Sequence, residues 1–370
     1  MRIFLVLIAL LALYCESWAC TSAIVAASKS SEGVPLLWKH RDISSGCKTR
    51  VEYVTGDGYS YTAIVPNTKS WDKQVLCGIN EKAFGIFNTA SHGMQKATEG
   101  EWNAVQLPLS GGFSSIMAKA LKKCATVDEF EAFLKSTKRK RGFNTNIGVG
   151  DASGEVAYFE IWDLGYKRYN VNERSEGFDV RSNFSFAATD ERGTSERRYN
   201  LIMKQMRDHE DLFTPQQFVN YSRSYNSIKY GDILASSEPY ICNNHSVARA
   251  TSVSTAIMVC DPKNPRMLVA NGNPVAGLAL PVYVNAGKEL PCCLNGEKMR
   301  LLGNDFQAVA YTKISKKRFS LSKDVVRAVL NVKQPVIEMP KEMPANIKMF
   351  NAHLDKVYNK YEKRVRKAMK

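Results

Sequence analysis

The sequence predicts an α+β chain in which antiparallel sheets pack in layers with helices on the outside. Three observations lead there. Short β-branched, apolar runs bounded by turn residues recur and read as hairpins, beginning with TSAIVAAS, KSSEGVP and LLWKHRD ahead of residue 43. Helical stretches come in adjacent pairs between strand-rich regions. The strand–helix–strand alternation that builds parallel sheets is missing.

After that first hairpin, strands are expected over 50–56, 61–66, 74–80 and 84–90. Helices follow over 113–124 and 126–137, the second opened by Thr126 and Glu129 at capping-box spacing. Residues 146–162 read as another hairpin, turning at 152–154, and 165–171 as one more strand. Two helices over 197–209 and 214–224 precede strands over 251–261, 266–272 and 278–285. The stretch 323–370 is mainly helical, interrupted by Pro335, Pro340 and Pro344. No repeat or linker divides the chain. The expected organisation is a leader over 1–19, one domain over 20–312, and a basic, mainly helical extension over 313–370 packed on that domain or continuing it.

The leader pairs Arg2 with an apolar run from Ile3 to Leu13, and then Ser17, Trp18 and Ala19 supply a secretory cleavage pattern before Cys20. That run falls short of the ~20 apolar residues a membrane helix needs, and no later stretch is longer. The expectation is an exported chain, secreted or periplasmic/lumenal, whose mature form begins at Cys20. A rival is an envelope lipoprotein acylated on that cysteine. Ser17 and Trp18 lack the branched and small residues that such a site favours.

The 370 residues carry a formal net charge of +15. Such a surplus suits nucleic acid, acidic substrates or weak electrostatic contact with anionic envelope surfaces. The basic residues are scattered, with local runs only at 135–141, 313–318 and 356–370, and no recognition helix, zinc finger or stacking motif accompanies them. Nucleic acid is therefore not expected as a partner. A homo-oligomer is compatible with the sequence, and nothing in it fixes the state. Of nine cysteines, Cys15 leaves with the leader, and seven besides Cys20 cannot all pair internally. The five histidines show no metal-site spacing, the papain-type cysteine signature is absent, and no cofactor is implied.

A cysteine at residue one carries its own base. A free α-amine titrates near ~7.7–8.0 and a free thiol near ~8.5, so the amine can take the thiol proton at neutral pH. Export cleavage and activation would then be a single event. The thiolate would attack a carbonyl, form an acyl-enzyme and pass the acyl group to water or another acceptor.

The stretch CTSAIVAASKSSEGVPLLWKHRD (20–42) resembles the N-terminal-nucleophile (Ntn) cysteine hydrolases: choloylglycine hydrolases, penicillin V acylases, acid ceramidases and isopenicillin N acyltransferase-like enzymes. Their mature chains open with Cys-Thr and carry Arg-Asn-x-Asp a hairpin later. Here that slot reads KHRD, so Asp42 matches the aspartate and Lys39 stands where arginine is usual. Lysine keeps the charge that lowers a thiol pKa and loses the bidentate fork. Arg41 is the alternative, placed on the other face by strand alternation. GINEKAFGIFNT (78–89) resembles a block that carries an asparagine into the site, implying Asn88 as an oxyanion donor, with Asn80 serving a turn. TNIGVGDASGEVAYFE (145–160) implies Asn146, or else Asn144. RSNFSFAATDERGTSERRY (181–199) is similar to the acyltransferase-like branch and implies Arg198, or Arg197 if the register slips by one. The block 249–291 extends the likeness to about Pro291.

The resemblance implies a four-layer αββα sandwich of two antiparallel sheets flanked by helices. It implies a small-molecule N-acyl amide substrate, bile-acid-conjugate-like or penicillin-like, cleaved at a linear non-peptide C–N bond through a Cys20 thioester. The alternatives are an acyltransferase passing the acyl group to an amine, and a non-catalytic binding protein on the same fold.

Overall fold

The computed structural model describes residues 20–43, 48–67, 74–91, 112–136, 144–162, 165–187, 193–229, 232–234, 245–315 and 318–370. The leader expected over 1–19 lies outside the described residues, as do Cys47 and Cys242.

The chain opens with the hairpin β1 (Cys20–Val25) and β2 (Leu36–Asp42), followed by β3 (Thr49–Val54), β4 (Tyr61–Pro66), β5 (Cys77–Asn80) and β6 (Gly85–Ala90). Helices α1 (Gly112–Lys123) and α2 (Val127–Ser136) lead to β7 (Thr145–Gly150), β8 (Val156–Ile161), β9 (Tyr166–Asn170) and β10 (Phe178–Arg181). Then come α3 (Gly193–Arg207), α4 (Pro215–Arg223), β11 (Ser227–Lys229) and β12 (Asp232–Leu234). Strands β13 (Ser252–Val259), β14 (Arg266–Asn271) and β15 (Leu280–Tyr283) precede α5 (Lys298–Ala310). The chain ends with β16 (Tyr311–Ser315), β17 (Arg318–Leu321), α6 (Lys323–Leu330) and α7 (Ile347–Ala368).

Two antiparallel sheets form the body. One runs β10-β1-β2-β13-β14-β15, and the other runs β3 to β9 in sequence order. Their inner faces meet along β1 and β2 on one side and β6, β7 and β8 on the other. The approach is close because Gly85 and Gly150, paired across β6 and β7, lie under Leu37. A Cβ on Gly150 would stand 2.7 Å from the Leu37 side chain. Outside the seven-stranded sheet, Met117 and Leu121 of α1 and Phe130 and Leu134 of α2 share a core with Phe84, Ile147 and Phe159. Outside the six-stranded sheet, Trp38 packs on Phe218 and Tyr221 of α4 and donates its indole N–H to Ser222 Oγ at 2.8 Å. The layers are therefore helix, sheet, sheet, helix, as the sequence predicts.

Burial on both faces explains β2. All seven of its residues are buried, so the strand reads as LLWKHRD with no solvent-facing alternation. Leu37, Lys39 and Arg41 face the opposing sheet, while Trp38 and His40 face the helices.

Several elements differ from expectation. β10 has only four residues, Phe178 and Val180 alternating with the charged Asp179 and Arg181, too short a run to stand out in the sequence, and it forms because the edge of β1 pairs with it from Ser22↔Arg181 to Val25↔Phe178. Helix α3 starts four residues before the expected 197 and brings Ser195 and Arg198 into its first turns. The boundary expected after residue 312 falls inside β16. Helix α7 buries Leu354, Tyr358, Tyr361 and Val365 in the same cluster as β13 and β14, at roughly 1.5–3 kcal/mol for each full burial. Among the described residues, no helix is long and apolar enough to cross a membrane.

Candidate active site

The hairpin register assembles the site. Cys20 pairs with Arg41 and Ser22 with Lys39, and directly opposed residues in an antiparallel pair share a face. Cys20, Ser22, Lys39 and Arg41 thus all project between the sheets. The expectation that Arg41 points to the opposite face is corrected here: residues two apart on a strand lie on the same side. Arg41 Nη1 stands 3.7 Å from Cys20 Sγ, while Nη2 donates to Asn88 Oδ1 at 2.7 Å and to the Leu76 carbonyl at 2.6 Å.

Asn88 therefore reaches the thiol's surroundings through Arg41. Its own Nδ2 donates to Thr145 Oγ1 at 3.1 Å. Lys39 is 1% exposed and donates to Thr89 Oγ1 at 3.2 Å. Burial pushes its pKa down to about 7; the Cys20 thiolate opposes that fall and Arg41 adds to it. At Cys20 burial disfavours the thiolate, but Lys39 and then Arg41 outweigh it and hold the thiol below its ordinary value. The other five described cysteines, Cys77, Cys124, Cys260, Cys292 and Cys293, are all shifted the opposite way.

The backbone of Cys20 is held from the far side of β1. Its N–H donates to Asn183 Oδ1 at 2.6 Å, and its carbonyl accepts from Arg198 Nη1 at 2.7 Å and Ser182 Oγ at 3.2 Å. Arg198 Nη2 also donates to Asn183 Oδ1 at 2.9 Å and to Ser195 Oγ at 3.2 Å. Burial and the neighbouring Arg249 bring the Arg198 pKa down to about 9, which leaves it cationic at neutral pH. The alternative arginine, Arg197, is exposed and meets His245.

Asp42 lies on the helix-facing side of β2. Its Oδ1 accepts from Ser252 Oγ at 2.7 Å and lies 3.1 Å from His40 Nε2, and Oδ2 is 3.2 Å from Arg249 Nε. Burial would raise its pKa, but Arg249 and His40 hold the carboxyl below the usual range. Burial keeps His40 below its ordinary value as well. A register shift in β13 between Ser252 and Ser254 lets Ser252 pair with Asp42. What Asp42 turns toward the thiol is its backbone carbonyl, 3.9 Å from Cys20 Sγ.

Asn146 is not brought to Cys20. It donates to the carbonyls of Ser182 and Phe184 at 3.2 and 2.8 Å and accepts from Ser185 Oγ at 2.8 Å. It thereby clamps the segment that presents Asn183. Asn144 contributes a backbone carbonyl to Ser91 N–H. The residues missing from the sequence expectation are Asn183, Arg249, Ser252 and His40. Asn183 had a readable signal, the Ser-Asn-Phe within 181–199. Among the described residues, no group of three His, Cys, Asp or Glu side chains is placed to hold a metal ion.

The chain matches no protein-family profile and no curated protein. Among solved structures it is similar to a Caenorhabditis elegans ortholog of N-acylethanolamine-hydrolyzing acid amidase, at TM-score 0.41 and 17% identity, over 65% of this chain and 93% of that one. It is similar to a mutant conjugated bile acid hydrolase from Clostridium perfringens at TM-score 0.40 and 12% identity, over 72% and 93%. A penicillin V acylase from Agrobacterium tumefaciens aligns at TM-score 0.39 and 14% identity, over 72% and 86%. At these scores the likenesses say nothing of this chain's chemistry, which has to be read from its own residues.

Proposed function

We propose that this protein is an exported cysteine-nucleophile amidase of the Ntn type, matured by cleavage before Cys20, that hydrolyses a linear non-peptide C–N bond of a small N-acyl amide. One observation carries the reading: the buried Cys20 sulfur lies between the sheets on the same face as Lys39 and Arg41, with Arg41 Nη1 at 3.7 Å, and of the six described thiols it alone is drawn below its ordinary pKa. This thiol is fully buried and still held below its ordinary value because Lys39 and Arg41 stand beside it. Reactive cysteines sit in such electropositive settings, whereas structural buried thiols are shifted upward.

The Cys20 thiolate attacks the amide carbonyl. The C–N bond of the tetrahedral intermediate breaks as its nitrogen takes up the proton that the thiol gave up, and the neutral amine leaves. Water then hydrolyses the resulting thioester with the freed terminal amine as a base. Asn183 and Arg198 fix the Cys20 backbone, so the thiol and the amine keep a set separation through both steps. Arg41, anchored by Asn88 and Leu76, supplies a fixed positive charge at the sulfur.

The test is to incubate mature protein with a panel of N-acyl amides and quench early for intact-mass measurement. The expected result is an acyl adduct mapped to Cys20, abolished in Cys20→Ala with the fold retained. Turnover by Cys20→Ala, or an adduct on another residue, would refute the assignment.

A further inference from the structure

Lys39 is the one buried lysine among the described residues. The residue is 1% exposed, its amine hydrogen-bonds the Thr89 hydroxyl and the Cys20 sulfur, and no described carboxylate lies within ion-pair distance. Arg181 and Arg266, buried as deeply, each hold carboxylates at close range. A buried ammonium without a counter-ion costs several kcal/mol, so such a group sheds its proton unless an anion forms beside it.

The groups that face Lys39 show which anion that is. From β1 come the Cys20 thiol and the Ser22 hydroxyl, and from β6 Thr89 and Asn88. Behind Ser22, Tyr158 of β8 is driven far above its ordinary range by burial and stays a neutral phenol. On its own strand sits Arg41, which opposes a second cation, while Asp42 gives weaker support from the other face. The register partner on β13, Ala256, has no charge to offer. Among the described residues, Cys20 is thus the one facing group that can become an anion at the inner face.

We propose that Lys39 is a proton shuttle for acylation: its neutral amine takes the Cys20 thiol proton as the sulfur attacks and then delivers it to the departing amine. The inference rests on Cys20 being the nucleophile. The balance is complete without a co-reactant. The S–H bond breaks and an N–H bond forms at Lys39 Nζ; the sulfur pair forms the C–S bond; the C–N bond breaks, and its electron pair picks up the proton from Lys39. The cycle returns Lys39 to its neutral form, and the terminal amine is left to serve the water that cleaves the thioester. A pKa near the working pH suits such a group, because it must both accept and release.

Lys39→Arg separates a shuttle from a fixed charge. Arginine keeps a cation beside the sulfur and cannot release a proton at any working pH. The expected result is that alkylation of Cys20 continues in Lys39→Arg down to the wild-type pH or below, measured against a Cys20→Ser background. Release of amine from the amide should fall by ~10²–10⁴-fold. Should the larger side chain disrupt the fold, Lys39→Ala offers a second route: alkylamines added to the solution should restore amine release, and guanidinium salts should not. Wild-type amine release by Lys39→Arg, or rescue of Lys39→Ala by guanidinium as good as by alkylamine, would overturn the proposal. Failure of the wild-type protein to cleave any amide, with Cys20 alkylation still dependent on Lys39, would instead count against the amidase reading.

Discussion

Asn183 is the side chain whose replacement most directly probes how the N-terminal end of β1 is held. It is 2% exposed, and it satisfies three groups: the Cys20 N–H, one Arg198 N–H and, through its own amide, the Ala90 carbonyl. Asn183→Ala leaves the first and last without partners, while Arg198 keeps Cys20 O, Thr21 Oγ1 and Ser195 Oγ. Two buried polar groups at about 1–3 kcal/mol each set the expected loss at about 2–6 kcal/mol of unfolding free energy. Urea denaturation measures it. Asn183→Asp is the sharper experiment. It keeps an acceptor for Cys20 N and for Arg198, loses the donor to Ala90, and places a carboxylate where the amide oxygen lies 2.6 Å from the terminal nitrogen.

An adjacent anion favours the protonated amine and typically moves such a pKa by about one to three pH units. Arg198, already bonded to the same oxygen, compensates part of that charge, so about one unit is expected here. The amine must be neutral to act on water, so the acid limb of the turnover profile in mature Asn183→Asp should shift toward alkaline pH by about that amount. Alkylation of the Cys20 thiol should shift less. A folded Asn183→Asp protein with the wild-type pH profile would refute the reasoning and remove the terminal amine from the mechanism.

Three further outcomes follow from the same geometry. Asp42→Asn takes the anion from Arg249, Ser252 and His40 and should cost about 3–5 kcal/mol at neutral pH. Because the folded carboxyl lies below its unfolded value, that contribution is present above the unfolded pKa and is lost as pH falls through the folded one, so the mutant should show a shallower acid limb in denaturant titrations from pH 7 downward. Lys39→Met should abolish turnover and yet stabilise the protein by about 1–4 kcal/mol near neutral pH. The wild-type gains stability as pH rises from about 7 toward 10.5, where only the unfolded chain holds the lysine proton, and thermal unfolding of Lys39→Met should lack that rise. A chain that retains Ala19 ahead of Cys20 should turn over ~10²–10⁴-fold more slowly while its thioester accumulates, with the terminus verified by intact mass.

The parts legible in the sequence are those set locally. LLWKHRD gives β2 its bounds because every residue in it is buried, and Cys20, Lys39 and Arg198 each stand out by type and place. Asn146 and Asn183 show where local reading ends. Both are buried asparagines next to strand termini, and sequence resemblance favours the one in the longer, more regular strand. β7 belongs to the opposing sheet, whereas β10 is the neighbour of β1, so only the residues following β10 reach the Cys20 backbone. That adjacency comes from the pairing of Ser22 with Arg181, 159 residues apart, and no window along the chain contains it. Asp42 is a second example. Its side in the fold follows from alternation, but its partners Arg249 and Ser252 arrive through a register shift in β13 that depends on packing.

Alternation also divides the labour of the two strands. The face of β1 and β2 toward the second sheet holds Cys20, Lys39 and Arg41, where a sulfur anion can be stabilised and a proton exchanged. The face toward the helices holds His40 and Asp42, locked to Arg249 and Ser252. Arg198 and Asn183 grip the Cys20 backbone at the end of β1, between those two faces. Dense packing and the Asp42 contacts to Arg249 and Ser252 oppose rotation of β2 that would relieve the repulsion between Lys39 and Arg41. That repulsion is then available to the chemistry: it disfavours a proton on Lys39 until the thiol gives one up, and each new charge forms only with its partner. Neutralising Asp42 in Asp42→Asn removes an anion that opposes the Cys20 thiolate, so charge alone would move Cys20 alkylation to lower pH. A shift toward the pH dependence of a free thiol is expected instead if the helix-side grip sets the coupling, and a shift to lower pH would refute it.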